Sequence, residues 1–296
     1  MLDSREEPGL RRFLRKVPGS SQAFLAEASD GFQYVVKFAS SLQGPNLPFN
    51  EAIGHELYRS ANLATPAWRP LRITESFIAQ NPGCWLETPN GSMPPPAGLC
   101  FGSGYLGGGS LRLYQLLPGS HYRRVRNREE FSLAWLLDIC ARHTDNRQAV
   151  FCEGIDARLS AVFIDFGHMF GGPCGKGEPR LIESAYLDTR VYQTLSAGRV
   201  KEFKKAILDI KSDRVWRKAM MLPAEWKTDS ALTRLSECLN SLSSLNVVEN
   251  VFGAQNLLLN RIHLSDTDDA RPPTKATTSV LRPRLQSAAE PGFIVA

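Results

Sequence analysis

Two acidic residues in a fixed setting constrain this chain most. His143-Thr144-Asp145-Asn146-Arg147 leads into the apolar run Gln148 to Cys152, and turn material follows at Glu153-Gly154-Ile155-Asp156. A second apolar run, Leu159 to Phe163, then delivers Ile164-Asp165-Phe166-Gly167-His168. An acidic loop, a hairpin and a second acid place a carboxylate able to act as a base beside one able to bind a metal. Asp145 alone reads as an Asx-turn aspartate after a helix, and the hairpin with Asp165 reverses that reading.

The rest of the chain supplies what phosphoryl transfer needs: cations on phosphate, carboxylates on a metal, and a base for the acceptor. Gln22 to Glu27 and Phe32 to Phe38 read as strands joined by Ser29-Asp30-Gly31, because Asp-Gly between apolar runs is a tight-turn signal. Lys37 ends the second of these, where a lysine reaches phosphates. Gly19-Ser20-Ser21-Gln22 precedes the first strand, and backbone N–H groups there suit phosphate binding.

A helix is expected from Asn50, as N-cap, to about Asn62, with Ile53, Leu57 and Ala61 on one face. Its Glu51 and Glu56 are both placed to pair with Lys37, and the residues alone leave that choice open. Asp145 is read as the base, Arg147 as a charge stabiliser, and Asp165 as a hard oxygen ligand suited to Mg²⁺. His143 and His168 are read as structural. Alone, Lys37 reads as an ordinary strand-end lysine, and the acids that follow it make it a phosphate ligand; a strand-end lysine is not expected to carry the core, so its loss is expected to leave the fold intact.

Residues 68 to 88 read as extended, and the Pro- and Gly-rich stretch 89 to 110 as a loop carrying a short Phe101-Gly102-Ser103 element, a strap between two lobes. Helices are expected over 128 to 142, 199 to 212 and 229 to 246, with residues 181 to 262 helical in pattern. The expected layout is an extension over 1 to 14, a β-rich N-lobe over 15 to 110, a mainly helical C-lobe over 111 to 262, and a disordered tail over 263 to 296.

Composition excludes the alternatives. With 43% hydrophobic and 22% charged residues among 296, the chain reads as an ordinary globular protein large enough for two lobes around a cleft. The net charge of +5 is scattered, and its densest cluster, Arg123-Arg124-Val125-Arg126-Asn127-Arg128, reads as a solvated surface, so no nucleic-acid partner is expected. Six cysteines lie far apart without zinc spacing, and reduced thiols in a cytoplasmic setting fit them. The N-terminus has no apolar signal core, and no apolar run approaches the roughly 18 residues that span a bilayer, so no membrane partner is expected.

Taken together, Pro18-Gly19-Ser20-Ser21, Val35-Val36-Lys37-Phe38, Asn50-Glu51, Trp135 ahead of Asp145 to Phe151, and Ile164 to His168 resemble the HipA-like kinases of bacteria. That family is distantly similar to phosphatidylinositol kinases and to the serine/threonine kinase HipA. The resemblance covers about residues 15 to 250 and lies mainly in the order of the motifs. It implies an α+β, two-lobed protein-kinase-like fold, ATP and Mg²⁺ as cofactors, and a protein hydroxyl as acceptor. It favours Glu51 over Glu56 as the partner of Lys37, and it admits an antitoxin-like protein partner.

Two departures stand out. Many kinases carry an Asn five residues after the base to hold a second metal, and here that position is Val150, which leaves either Gln148 or Asn146 to supply an amide oxygen or a site that holds a single metal. His143-Thr144-Asp145 replaces the usual His-Arg-Asp. A catalytically silent kinase-like module that binds a nucleotide or a partner protein is therefore the second reading, and an unrelated α+β interaction protein the third.

Overall fold

A computed structural model describes residues 7–19, 21–39, 44–107, 112–177, 184–192 and 195–244, with 249 and 253 singly. The chain is α+β, with a β-sheet N-terminal part and a mainly helical C-terminal part. The expected tail over 263 to 296 lies outside the described residues.

The sheet begins earlier than the sequence pattern implies. Strand β1 (Leu10–Lys16) occupies part of the expected extension and pairs antiparallel with β2 (Phe24–Ala28). A bond from Val17 N to Ala23 O (2.8 Å) closes the connection, so the Gly19 loop is the tip of a hairpin rather than a lead-in to one strand. Next, β2 turns through Asp30-Gly31 into β3 (Gln33–Lys37), with Phe24 opposite Val36 and Ala26 opposite Tyr34. Gly31 has φ +81°, and Asp30 Oδ1 accepts from Phe32 N, as a tight Asp-Gly turn requires.

Helix α1 spans Leu47–Ser60. It starts a turn before the expected N-cap, because Pro48 fits a first turn where its missing N–H goes unused. Asn50 is consequently buried inside the helix, not at its cap. The stretch expected to be extended holds β4 (Trp68–Ile73), a short helix α2 (Glu75–Gln80) and β5 (Leu86–Thr88). Thr74 caps α2 through its side chain, a local signal that outweighs the β-branched flank.

The Pro- and Gly-rich stretch contains β6 (Gly91–Met93) and β7 (Gly98–Gly104), and β7 is interior to the sheet, in the order β1-β2-β3-β7-β4. Its glycines look like loop residues in sequence but serve packing. A Cβ on Gly102 would stand 2.3 Å from the Leu71 side chain. Strands β6 and β7 thus occupy much of the stretch expected to be a loop, and β7 extends the expected Phe101-Gly102-Ser103 element on both sides.

One sheet face buries Phe24, Val36, Leu71, Ile73 and Cys100 under Phe77 and Ile78 of α2. Phe101 joins the larger core instead, with Phe49, Ile53 and Leu57 of α1 and the C-terminal elements. There β8 (Arg112–Tyr114), β9 (Gln148–Glu153) and β10 (Leu159–Ile164) form a three-stranded sheet, and α3 (Glu130–Cys140) is almost wholly buried. Helices α4 (Ala197–Leu208), α5 (Ser212–Met220) and α6 (Asp229–Leu242) follow, with Ser196 and Thr228 capping the first and last. Residues 184–192 hold only a short 3-10 turn at Thr189–Val191, where a helical pattern is expected.

All six cysteines are free, and Cys140 is buried while Cys152 is half-buried. No helix among the described residues is long and apolar enough to cross a membrane.

Candidate active site

Three elements bring three charged residues to one point. Lys37 is the last residue of β3, paired across the sheet with Phe101. Its Nζ lies 2.5 Å from Glu51 Oε1 on α1 and 2.8 Å from Asp165 Oδ1 just beyond β10. Glu51 also accepts from Phe166 N at 3.1 Å and Gly167 N at 3.0 Å, so α1 grips both the lysine and the Asp-Phe-Gly backbone. Glu56, the other sequence candidate, accepts from Trp68 Nε1 instead.

Close packing keeps α1 against that backbone. A Cβ on Gly54 would stand 2.3 Å from Phe166 Cβ and 2.7 Å from Met169 Sδ. One turn earlier, Asn50 Nδ2 donates to the carbonyls of Gly167, Met169 and Gly172. The segment after Asp165 is also tied to the Asp145 loop, by Thr144 N to His168 O (2.9 Å) and Phe170 N to Ala141 O (2.6 Å).

Lys37 is only 8% exposed, although a strand-end lysine is ordinarily solvated. Burial alone would depress its pKa, but the Asp165 and Glu51 carboxylates outweigh that and raise it, so the ammonium stays charged. Burial likewise pulls the Asp165 carboxyl up, and Lys37 more than reverses this and holds it well below the ordinary carboxylate range. For Glu51, burial and the nearby Asp165 raise the carboxyl against the opposing pull of Lys37. With all three ionised, the cluster carries two negative charges and one positive, an excess that suits a cation.

Asp165 sits at φ +61°, a left-handed conformation disfavoured for a residue with a Cβ. Its Oδ2 accepts no hydrogen bond among the described residues, which leaves a hard oxygen beside the lysine. Among the described residues, no group of three or more His, Cys, Asp or Glu is placed to hold a metal alone. The donor chemistry fits Mg²⁺ shared with phosphate oxygens, since that ion is commonly held by one or two carboxylates.

Asp145 is half-buried in the loop between α3 and β9, its Oδ1 accepting from Asn146 N at 2.8 Å. His143 links the two acids through their backbones: Nδ1 is 2.6 Å from Asp145 O and Nε2 is 3.4 Å from Asp165 O. Burial, aided by Arg147, keeps this ring neutral by lowering its pKa to about 3. Asn146 Nδ2 donates to Ala185 O, so the 184–192 segment runs along the Asp145 loop.

The Arg147 side chain is turned into the interior. Its side chain is wholly buried against Asp138 and Tyr58, out of reach of a phosphate, where the sequence suggests a charge stabiliser. Gln148 is exposed at the start of β9, opposite Ile164, one residue before Asp165. The amide of Gln22 is engaged in both directions with the Glu87 backbone, which leaves Gly19 and Ser21 at the hairpin tip. Ser20 lies outside the described residues.

Sequence reasoning misses Asn50, Tyr58 and Asp138 as parts of the site. Asp138 carried a readable signal. It stands in Leu136-Leu137-Asp138-Ile139, and a carboxylate inside an apolar helix needs a partner.

No protein-family model and no curated protein matches the chain. Similar solved structures include the Helicobacter pylori proinflammatory kinase CtkA, 11% identical over 81% of this chain and 94% of that one, with a TM-score of 0.47. The Golgi casein kinase is 9% identical over 85% of this chain and 74% of its own, at 0.42. A structure of the Golgi casein kinase with Mn and ADP bound is 11% identical over 80% and 72%, at 0.35. At these identities and TM-scores, any functional reading has to come from the site's own geometry.

Proposed function

We propose that this chain is an ATP- and Mg²⁺-dependent phosphotransferase of the HipA-like kinase kind that phosphorylates a protein Ser or Thr. The observation that carries this is Lys37 bonded at once to Glu51 and Asp165, from three separate elements. A buried ammonium between two carboxylates has no stabilising purpose that an apolar trio would not serve as well. As phosphate-binding machinery it makes sense.

In this reading Lys37 binds the nucleotide phosphates, and Glu51 fixes it by also holding the Phe166 and Gly167 amides. Asp165 offers its free oxygen to Mg²⁺, with Gln148 as an auxiliary ligand. When bound, Mg²⁺ neutralises charge on the phosphates. Gly19 and Ser21, at the tip of the β1–β2 hairpin, cover the phosphates with backbone N–H groups, while the Gln22 N–H is taken by Gly19 O. Asp145 accepts the proton of the attacking hydroxyl. The site acts by positioned charge, as phosphoryl transfer demands.

A silent module that binds nucleotide or a partner protein is the second reading, favoured by Val150, half-buried in β9 where a second metal ligand is expected. Calorimetry with ATP tests the binding half of both. The wild type should bind about tenfold more tightly with Mg²⁺ than with chelator, and Asp165→Asn should lose that gain while keeping metal-free binding. Wild-type affinity indifferent to Mg²⁺ would contradict the assigned role of Asp165.

A further inference from the structure

Arg147 has five N–H donors, and every one is used inside the protein. Nε donates to Gln148 O at 3.3 Å, and the two hydrogens of Nη1 go to Tyr58 Oη at 3.2 Å and Asp138 Oδ1 at 3.1 Å. Those of Nη2 go to the consecutive carbonyls of Ile164 and Asp165. The guanidinium also lies over the Phe166 ring, 4.6 Å from its centroid. A fully occupied planar fork fixes whatever it binds, which a lysine with three freely rotating donors does not do.

What it binds is the backbone just before and at Asp165, the residue held at φ +61°. A peptide in a sparsely populated conformation persists only where its surroundings hold it. Turning the Asp165 backbone out of this conformation would move its carbonyl off the Nη2 donors. The other arm of the fork is anchored to α3 through Asp138 and to α1 through Tyr58, whose hydroxyl is 2.7 Å from Asp138 Oδ1.

We propose that Arg147, braced by Asp138 and Tyr58, is a positioning residue that locks the Asp165 peptide so that its carboxylate faces Lys37 and the metal position. The metal half of this rests on the phosphotransferase reading. The mechanical half does not.

Hydrogen exchange on the ligand-free protein reads the mechanical half directly, at the Phe166 and Gly167 amides that Glu51 accepts. Exchange there should be at least about tenfold faster in Arg147→Met than in wild type, with the β2–β3 hairpin unchanged. Arg147→Lys should not restore protection, because the charge without the fork cannot hold both carbonyls. Should Arg147→Met fail to fold because Asp138 is left as a lone buried charge, the double variant Arg147→Met, Asp138→Leu removes that charge and gives the same readout.

Unchanged exchange in a folded variant, or full rescue by lysine, would overturn the lock. Faster exchange should be matched by a higher Mg²⁺ concentration for half-maximal ATP binding at unaltered metal-free affinity. If the wild type shows no Mg²⁺ dependence while exchange still responds, the lock stands as a structural device and its link to a metal falls with the phosphotransferase reading.

Discussion

At the scale of single residues, burial changes what Lys37 is. A strand-end lysine reads from sequence as dispensable to folding, but here it is buried between two carboxylates. Removing it leaves Glu51 and Asp165 facing each other uncompensated, so Lys37→Ala should lose about 3 kcal/mol in urea unfolding. Adding Glu51→Gln should recover more than half of that, and a Lys37→Ala variant as stable as wild type would contradict the pairing. His143 gives a pH signature. Its folded ring stays neutral down to about pH 3, whereas the unfolded chain protonates near 6.5. The unfolded state binds the extra proton between those values, so this stabilisation is complete above the unfolded pKa and is lost as pH falls. Between about pH 6 and pH 4 the wild type should lose about 1.4 kcal/mol per pH unit more than His143→Asn does. Equal slopes would place His143 in water rather than between the two acidic loops.

At the scale of elements, α1 is the part that assembles the site. Glu51, Gly54, Asn50 and Tyr58 each touch a different piece of the Asp165 segment or its bracing. Gly54→Ala tests this, because alanine is the better helix former by about 1 kcal/mol yet its methyl collides with Phe166. We expect a net loss of about 1–3 kcal/mol by thermal unfolding, together with weaker ATP binding as Glu51 is pushed off Lys37. A stabilised Gly54→Ala protein would mean that α1 is free to shift. The same elements show how far the sequence was legible. The β9–β10 hairpin and the β2–β3 turn were readable because alternation and Asp-Gly are local signals. Strand β7 was not, because Gly98, Gly102 and Gly104 serve neighbours distant in sequence, such as Leu71. Nor was β1, an edge strand whose exposed Arg11, Arg12 and Arg15 break the alternation. Lys37, Glu51 and Asp165, which the fold brings together, were legible as two acids and one lysine in a set order, and Asp145 as the acid of the neighbouring loop. Arg147 was misplaced because only the fold reveals that Asp138 and Tyr58 wait for it in the interior.

At the scale of the molecule, a five-stranded sheet brings Lys37 to the boundary where α1 and the C-terminal hairpin meet, and the charged cluster is built entirely from residues of different elements. Such a cluster forms only when both parts of the chain are folded and docked, which ties the chemistry to the intact protein rather than to any fragment. Phosphate transfer is the function proposed for this cluster. The most direct measurement is ATP turnover with γ-labelled ATP and Mg²⁺, following ADP release and label incorporation in wild type, Asp145→Ala and Asp165→Ala, each checked for an intact fold. Transfer is expected from the wild type, with a loss of at least about a hundredfold in each variant, as when a base or a metal ligand is removed. Equal turnover in all three folded proteins, or none in a wild type that binds ATP, would contradict the proposed function.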